Sequence, residues 1–285
     1  SPLQKVVNAA RDMPSAESKP VMVSGPYEVQ ELTRAFNNMV ERVQSSQTSQ
    51  REFVANVSHE LKTPLTSVQG FAQALLDGTA DTDESRQKAA QVIFSESERM
   101  HRMVLDLLDL AKLDAGTADL KMTPLNMRAL LSSIQEKFMP QSQRAGVKIE
   151  TEIPADLPSL IADGDRMAQV FTNLIDNALK FTPRGGSVSL IASLELDNMR
   201  VTVTDTGAGI PEKDLQNIFQ RFYQADPARK GGEAHGAGLG LAIAHEIVAA
   251  HGGKISVRSQ VVTGTTMEVI LPLAPPDATK LVRKK

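Results

Sequence analysis

The sequence predicts a multidomain protein: an α part built as a helical hairpin that pairs into a dimeric four-helix bundle, then an α+β part built as an α/β sandwich. Three observations carry this. Apolar residues recur at steps of three and four from Tyr27 to Leu113, interrupted by a polar stretch at 44–52 and a turn at 77–85. After Gly116, short runs that alternate at period two are interleaved with helical patterns. Within that second part, a helix with a polar arc precedes two glycine-rich turns.

The chain has 285 residues, enough for two or more domains. Its 41% hydrophobic and 23% charged content is ordinary for a globular protein. A formal net charge of -3 provides no broad basic footprint, so no nucleic acid partner is expected. The absence of cysteine excludes disulfides and thiolate metal sites and fits a reducing compartment. No run of about 18 apolar residues is present. The chain starts with Ser1-Pro2 rather than methionine and is expected to be a piece of a longer protein.

Leu3, Val6, Val7, Ala10 and Met13 form one stripe of a short helix, and Pro14, Pro20, Gly25 and Pro26 end it. A second stripe runs through Val29, Leu32, Phe36, Met39, Val40 and Val43. Residues 44–52 are polar but contain no breaker, so one continuous helix is expected. The stripe resumes at Phe53, Val57 and Leu61 and passes Pro64 to Val68, Ala72 and Leu75. Proline inside a helix lacks an N–H and crowds the carbonyl four residues back. The turn at 77–85 offers Thr82 or Asp83 as a cap. The next helix carries Val92, Ile93, Met100, Met103, Leu107, Leu110 and Leu113. Two helices alone bury such stripes poorly, whereas two hairpins make a four-helix bundle. A homodimer through residues 53–113 is therefore expected, although a plain coiled-coil spacer fits this part equally well.

Asn126 is a good cap for a helix over 127–144. Strands are expected at 147–153, 158–163, 187–196, 199–205, 253–259 and 265–273. Helices are expected at 165–180, 212–220 and 239–250.

Three motifs stand out in this part. In "QVFTNLIDNALKFTP", Asn173, Asn177 and Lys180 share one arc at about 100° per residue, opposite Val170, Phe171, Leu174, Ile175 and Ala178. Two carboxamides and an ammonium suit a polyphosphate with a divalent metal; a solvated polar face fits as well. In "VTVTDTGAGIP", a strand delivers Asp205 to its end, and Gly207 and Gly209 permit close approach of backbone. That carboxylate can accept from an exocyclic amine, or the segment is simply a tight strand-to-helix turn. In "HGAGLGLAIAHEIVAAHGG", Gly236, Gly238 and Gly240 lead into a helix, as at phosphate-binding helix starts. No strand precedes these glycines and no GxxxxGK[ST] occurs, which excludes a dinucleotide fold and a P-loop.

The order of the motifs resembles the cytoplasmic part of bacterial two-component sensor histidine kinases. "SHELKTPL" is similar to the H box, "NLIDNALKFTP" to the N box and "DTGAGIP" to the G1 box. "IFQRFYQAD" is similar to the F box and "GAGLGLAIA" to the G2 box. The resemblance covers roughly residues 50–271. The upstream helices resemble the end of a HAMP module, but the family's Asp-Glu-x-Gly is here Tyr27-Glu28-Val29-Gln30.

The resemblance implies a sandwich of the GHKL type and four segments. These are HAMP-like helices and linker (1–48), a dimerisation and phosphotransfer hairpin (49–117), an ATP-binding domain (118–274) and a tail (275–285). It implies an ATP-dependent, Mg²⁺-requiring kinase that phosphorylates His59 and passes the group to an aspartate of a separate response regulator. Glu60 would orient the imidazole, and Thr63 would position water to dephosphorylate the regulator. His59 lies two residues from the inward Val57 and Leu61, which already turns it outward.

By the same resemblance, Asn177 holds Mg²⁺, Asn173 and Lys180 serve the phosphates, and Phe181 lines the adenine site. Asp205 reads the adenine amine above Gly207 and Gly209. Arg221 neutralises the γ-phosphoryl group. Residues 224–235 form a lid, with Arg229 and Lys230 solvated in it. Gly236, Gly238, Leu239 and Gly240 form the lid's phosphate-side hinge, and Thr265 and Thr266 belong to the last Gly-Thr element. The remaining histidines read as structural, with His251 at a helix C-terminus. An upstream sensor and membrane segments are expected in the full-length protein, at the bacterial inner membrane. The competing readings are an ATP-binding adaptor without kinase activity and the unrelated ATPases of this fold, in which the H box has no place.

Overall fold

The computed structural model describes residues 4, 6–8, 20–224 and 237–274. The chain divides into two compact units, residues 1–70 and 71–285.

The first unit holds most of helix α1, Tyr27–Leu76. The helix is continuous because the polar stretch at 44–52 contains no glycine or proline. At its start, the Pro26 carbonyl accepts from the N–H groups of Val29 and Gln30 at 3.0 Å each. Pro64 lies inside the helix and is buried, so the Glu60 carbonyl has no N–H donor from position 64. Val57, Leu61 and Val68 share its inward side, while Val54 and Leu65 are exposed.

Upstream, the expected stripe splits between two faces. Phe36 and Val40 pack with Val6 in a small core, with Val21 against it. Leu32, Met39 and Val43 are exposed. Asn37 clasps the backbone of Val21: its Oδ1 accepts from the Val21 N–H at 2.9 Å, and its Nδ2 donates to the Val21 carbonyl at 2.8 Å.

The second unit begins with the end of α1, a turn, and α2, Asp83–Asp114. Thr82 caps α2 reciprocally with Ser85: the Ser85 N–H donates to Thr82 Oγ1 at 3.1 Å, and the Thr82 N–H donates to Ser85 Oγ at 3.0 Å. β1 (Thr123–Leu125) pairs antiparallel with β3 (Leu160–Ala162). Between them run α3 (Met127–Ala145), capped by Asn126, and β2 (Lys148–Glu152). Then follow α4 (Gly164–Phe181), β4 (Ser187–Glu195), β5 (Asn198–Asp205), α5 (Glu212–Leu215), α6 (Gly240–Ala250), β6 (Lys254–Gln260) and β7 (Gly264–Pro272).

The main sheet has the order β2-β4-β5-β7-β6, with β2 parallel to β4 and every other pair antiparallel. One face carries Val188, Leu190, Met199, Val201, Val203, Val269 and Leu271, all buried. Helices α3, α4 and α6 pack on this sheet. Period-two alternation thus gives one face to the core and leaves threonines, serines and charges on the other.

Two expectations are corrected. The helix foreseen at 212–220 is only Glu212–Leu215; beyond it, Asn217 and Gln220 donate N–H bonds to carbonyls three residues back, at 2.9 and 2.8 Å. The Asp214 carboxylate turns to the Tyr223 hydroxyl at 2.7 Å instead of continuing the helix face. Residues 123–125, foreseen only as the approach to a helix, form a strand because β3 supplies an edge beside them.

Candidate functional site

The α4 helix presents Asn173, Asn177 and Lys180 half-buried on one arc, while Val170, Phe171, Leu174, Ile175 and Ala178 are buried on the other. The Asn173 side-chain amide donates to the Gly240 carbonyl at 3.0 Å and ties α4 to the start of α6. The Asn177 carboxamide has no such tie to the described residues, so its neutral oxygen is available. That donor fits Mg²⁺, which takes few protein ligands and fills its octahedron with phosphate oxygens and water. Burial lowers the Lys180 pKa, and Arg99 lowers it further against the raising effect of Asp176. Its ammonium lies 5.5 Å from the centre of the Phe181 ring, which is half exposed.

Asp205 ends β5, buried at 9% exposure. Its Oδ1 accepts from the Gly207 N–H at 2.8 Å and the Thr265 N–H at 3.3 Å. Both bonds fall on one oxygen and leave Oδ2 for a ligand donor. Burial raises the carboxyl pKa against the lowering effect of these two N–H groups.

The glycines of this turn answer to the chain itself. A side chain at Gly207 would place its Cβ 2.5 Å from the Phe181 carbonyl oxygen. Gly209 has φ 70°, and a Cβ there would lie 2.1 Å from the Gln260 carbonyl oxygen. The tight turn thus requires glycine at both positions for the sake of the chain's own backbone.

At the second glycine run, Gly238 has φ 71° and lies against Phe222, whose N–H donates to the Gly238 carbonyl at 3.0 Å. Leu239 is buried and stands at the cap position of α6 without a side-chain bond. The first N–H groups of α6 thus have no side-chain cap, as an anion site needs. Gly236, Arg229, Lys230 and most of the expected lid, 225–235, lie outside the described residues, as do the tail 275–285 and Leu3, Ala10 and Met13.

Thr265 belongs to the site through its N–H. Thr266 does not: it pairs with Thr204 in the sheet register, and its hydroxyl lies 3.0 Å from that of Thr204, on the face opposite Asp205. Adjacent strand residues alternate faces, which separates the two threonines. Arg221 Nη2 donates to both carboxylate oxygens of Asp114, the last residue of α2.

In the first unit, the His59 side chain is 73% exposed, and its Nδ1 lies 3.9 Å from Glu60 Oε1. That is ion-pair range but too long for a hydrogen bond. The Thr63 hydroxyl donates to the His59 carbonyl at 3.4 Å, one turn along.

Sequence reasoning missed three supporting groups. Ser259 Oγ accepts from the Ile210 N–H at 2.8 Å, donates to the Gly264 carbonyl at 2.8 Å, and so fixes the glycine turn. His251, foreseen only as a helix-end residue, is buried: its Nε2 accepts from the Asp163 N–H at 3.0 Å, and its Nδ1 bonds the Ile247 carbonyl at 2.7 Å. It pins the end of α6 to the cap of α4. Arg166 pairs with Asp109 of α2 through two bonds, at 2.6 and 2.9 Å. None of these has a local signature, because each depends on a partner remote in sequence: Ile210 for Ser259, Asp163 for His251 and Asp109 for Arg166.

The sandwich, with its Asn-Lys arc, buried aspartate and glycine-led helix, defines an ATP-binding domain of the GHKL class. Residues 162–275 match the family model of histidine kinase-, DNA gyrase B- and HSP90-like ATPases. Residues 49–116 match the His Kinase A (phospho-acceptor) domain. With both modules in this order, the chain belongs to the two-component sensor histidine kinases. It is 39% identical over 224 residues to the sensor histidine kinase WalK of Bacillus subtilis, covering 78% of this chain and 36% of that protein. The chain thus spans about a third of that relative's length. Among solved structures, full-length ShkA in complex with AMPPNP is 33% identical, with a TM-score of 0.59 over 78% of this chain and 45% of the other. Histidine kinase ThkA in complex with response regulator TrrA shares the fold at 24% identity, with a TM-score of 0.64 over 81% of this chain and 64% of the other.

Proposed function

We propose that the chain is the catalytic portion of an ATP-dependent protein-histidine kinase. The observation that carries this reading is the exposed imidazole of His59 on a helix whose own chain supplies an adenine-competent Asp205 and a phosphate-competent Asn-Lys arc. Nδ1 of His59 lies 3.9 Å from the Glu60 carboxylate, and in the reacting complex a closer approach would place the ring proton on Nδ1 and leave Nε2 as the attacking atom. Nε2 attacks the γ-phosphorus, the bond from that phosphorus to the β–γ bridging oxygen breaks, and ADP leaves. The imidazole proton passes from Nδ1 toward Glu60 or water.

Asp205 Oδ2 accepts from the adenine amine. Lys180, the N–H groups at the start of α6, and Arg221 once freed of Asp114 carry the phosphate charge, so that positioning and electrostatics do the catalytic work. Mg²⁺ bound at Asn177 would neutralise charge on the phosphate oxygens. The phosphoryl group then passes to an aspartate of a separate response regulator, as the regulator-bound ThkA suggests by analogy. Thr63 serves the reverse reaction by placing the water that hydrolyses the phosphorylated regulator. Its long bond to the His59 carbonyl is weak enough to be exchanged for that water.

The exposed Leu65, Phe94, Val104, Leu105 and Leu108 support a homodimer through residues 53–113. The proposed organisation is a HAMP-like segment to residue 48, a phosphotransfer hairpin at 49–117 and the ATP-binding domain at 118–274, downstream of a sensor at the inner membrane. Among the described residues no helix is long and apolar enough to cross a membrane. Incubation with γ-labelled ATP and Mg²⁺ tests the activity. Label that survives base, is lost in acid and is absent from His59→Ala is expected; unlabelled wild-type protein overturns the reading.

A further inference from the structure

The C-terminal third of α2 is bound to the nucleotide domain by two Arg–Asp pairs and by direct packing against α6. Asp109 takes a two-bond grip from Arg166 at the start of α4, with Gln169 Nε2 adding a bond at 3.4 Å. The hydrogen bonds from Arg166 hold the Asp109 carboxyl below its usual range, as expected of a committed pair. Just over one turn further on, Asp114 engages Arg221 through both carboxylate oxygens. The Arg166 pair ties α2 to α4, which carries Asn177 and Lys180; the Arg221 pair ties it to the turn after α5, whose Phe222 N–H donates to the Gly238 carbonyl of the glycine run at 3.0 Å.

We propose that Asp114 is an autoinhibitory latch that withholds Arg221 from the γ-phosphate of bound ATP, with Asp109–Arg166 as its anchor. The inference rests on the kinase reading only for the role of Arg221. A guanidinium nitrogen shared between two carboxylate oxygens is already charge-compensated, so a γ-phosphate must displace Asp114 to engage it. Each member of the Asp114 pair is just over one-third exposed on its side chain, at 38% for Asp114 and 36% for Arg221. Pairs of that exposure are weak and salt-screened, which suits a contact that must open. Asp109–Arg166 is more enclosed and keeps α2 in place while the outer pair exchanges. The latch sits at the end of the helix that leads into the nucleotide domain. Movement of α2 therefore reaches Arg221 directly.

Calorimetric affinities for AMPPNP and ADP, measured on the whole chain, test this without requiring phosphoryl transfer. Asp114→Asn is expected to raise the ratio of AMPPNP to ADP affinity about two- to tenfold, because only the γ-phosphate gains from a guanidinium no longer shared with the Asp114 carboxylate. Arg221→Ala should lower the ratio, and the double variant should match Arg221→Ala. Asp109→Asn, which leaves Arg221 untouched, should shift the ratio in the same direction as Asp114→Asn but less. In parallel, autophosphorylation by Asp114→Asn should rise by a similar factor, and raised salt should stimulate wild type more than this variant. An unchanged or reduced ratio in Asp114→Asn overturns the latch even if wild type autophosphorylates. A raised ratio in a chain that takes no label supports the latch and removes the kinase reading instead.

Discussion

Thr265 on β7 stands opposite Asp205 on β5, and its N–H donates to Asp205 Oδ1 at 3.3 Å. The Gly207 N–H donates to the same oxygen at 2.8 Å. The carboxylate is thereby fixed with Oδ2 outward, an acceptor that suits an adenine amine and repels the oxygen of guanine. Replacement by asparagine places an amide donor within reach. Asp205→Asn should lower ATP affinity at least tenfold, in line with about 1.5–3 kcal/mol for a charge-assisted bond. The preference for ATP over GTP should shrink with it. Competition binding of the two nucleotides checks this, with circular dichroism to verify the fold.

His251 makes the second unit sensitive to acid. One ring nitrogen donates to Ile247 and the other accepts from Asp163, which requires the neutral form. Burial lowers its pKa, against the raising effects of the Ile247 carbonyl and Asp163. The unfolded state therefore binds the proton more readily. Its stability contribution is full above about pH 6.5 and is lost as pH falls through the lowered folded value. Urea unfolding of wild type should weaken between about pH 7.5 and 5.5. His251→Gln should be less stable at neutral pH and show a flatter profile. The neighbouring Asp163 works in a more acid window. Burial raises its pKa, but N–H bonds from Arg166 and Lys121 more than offset this and hold it below 3.8.

Asp106 on α2 has the opposite sign. Burial, reinforced by Asp109, raises its carboxyl to about 6. The folded state binds the proton more readily, so this group costs stability as pH rises from about 3.8 to 6 and remains costly at pH 7. After discounting for its partial exposure, Asp106→Asn should add about 1 kcal/mol at pH 7 and clearly less at pH 5. Thermal melts at the two pH values measure the difference.

Pro64 sits buried within α1, four residues beyond Glu60 and five beyond His59. An interior proline costs a helix about 3 kcal/mol relative to alanine. Pro64→Ala restores a donor to the Glu60 carbonyl at the expense of the buried ring. A net gain of roughly 1 kcal/mol is expected, since volume lost from a packed site takes back part of the helix gain. If the proline is a bend point for His59 access, the same variant shifts the ratio of autophosphorylation to regulator dephosphorylation. An unaltered ratio removes that role.

Much of this architecture was legible in the sequence because it is local. The unbroken helix from Tyr27 to Leu76, the Asn126 cap, the Asn-Lys arc of α4 and the strand alternation of β4 to β7 follow from spacing alone. Order among the boxes then assigned the family. What escaped was non-local. No spacing rule joins Asp114 to Arg221 or His251 to Asp163, residues 107 and 88 positions apart. The strand at Thr123–Leu125 exists because β3 lies beside it. The atoms that Gly207 and Gly209 clear belong to Phe181 and Gln260, contacts visible only once the sheet is assembled.

The central claim is that His59 is the phosphoryl acceptor. Mass spectrometric mapping of the ATP-treated chain, digested at neutral to mildly basic pH to preserve phosphoramidates, tests it most directly. The account predicts a single phosphorylated peptide spanning His59, with fragment ions that place the group on that residue, and its disappearance after mild acid. Phosphate on another residue, or an unmodified His59 peptide after full incubation with ATP and Mg²⁺, would contradict it.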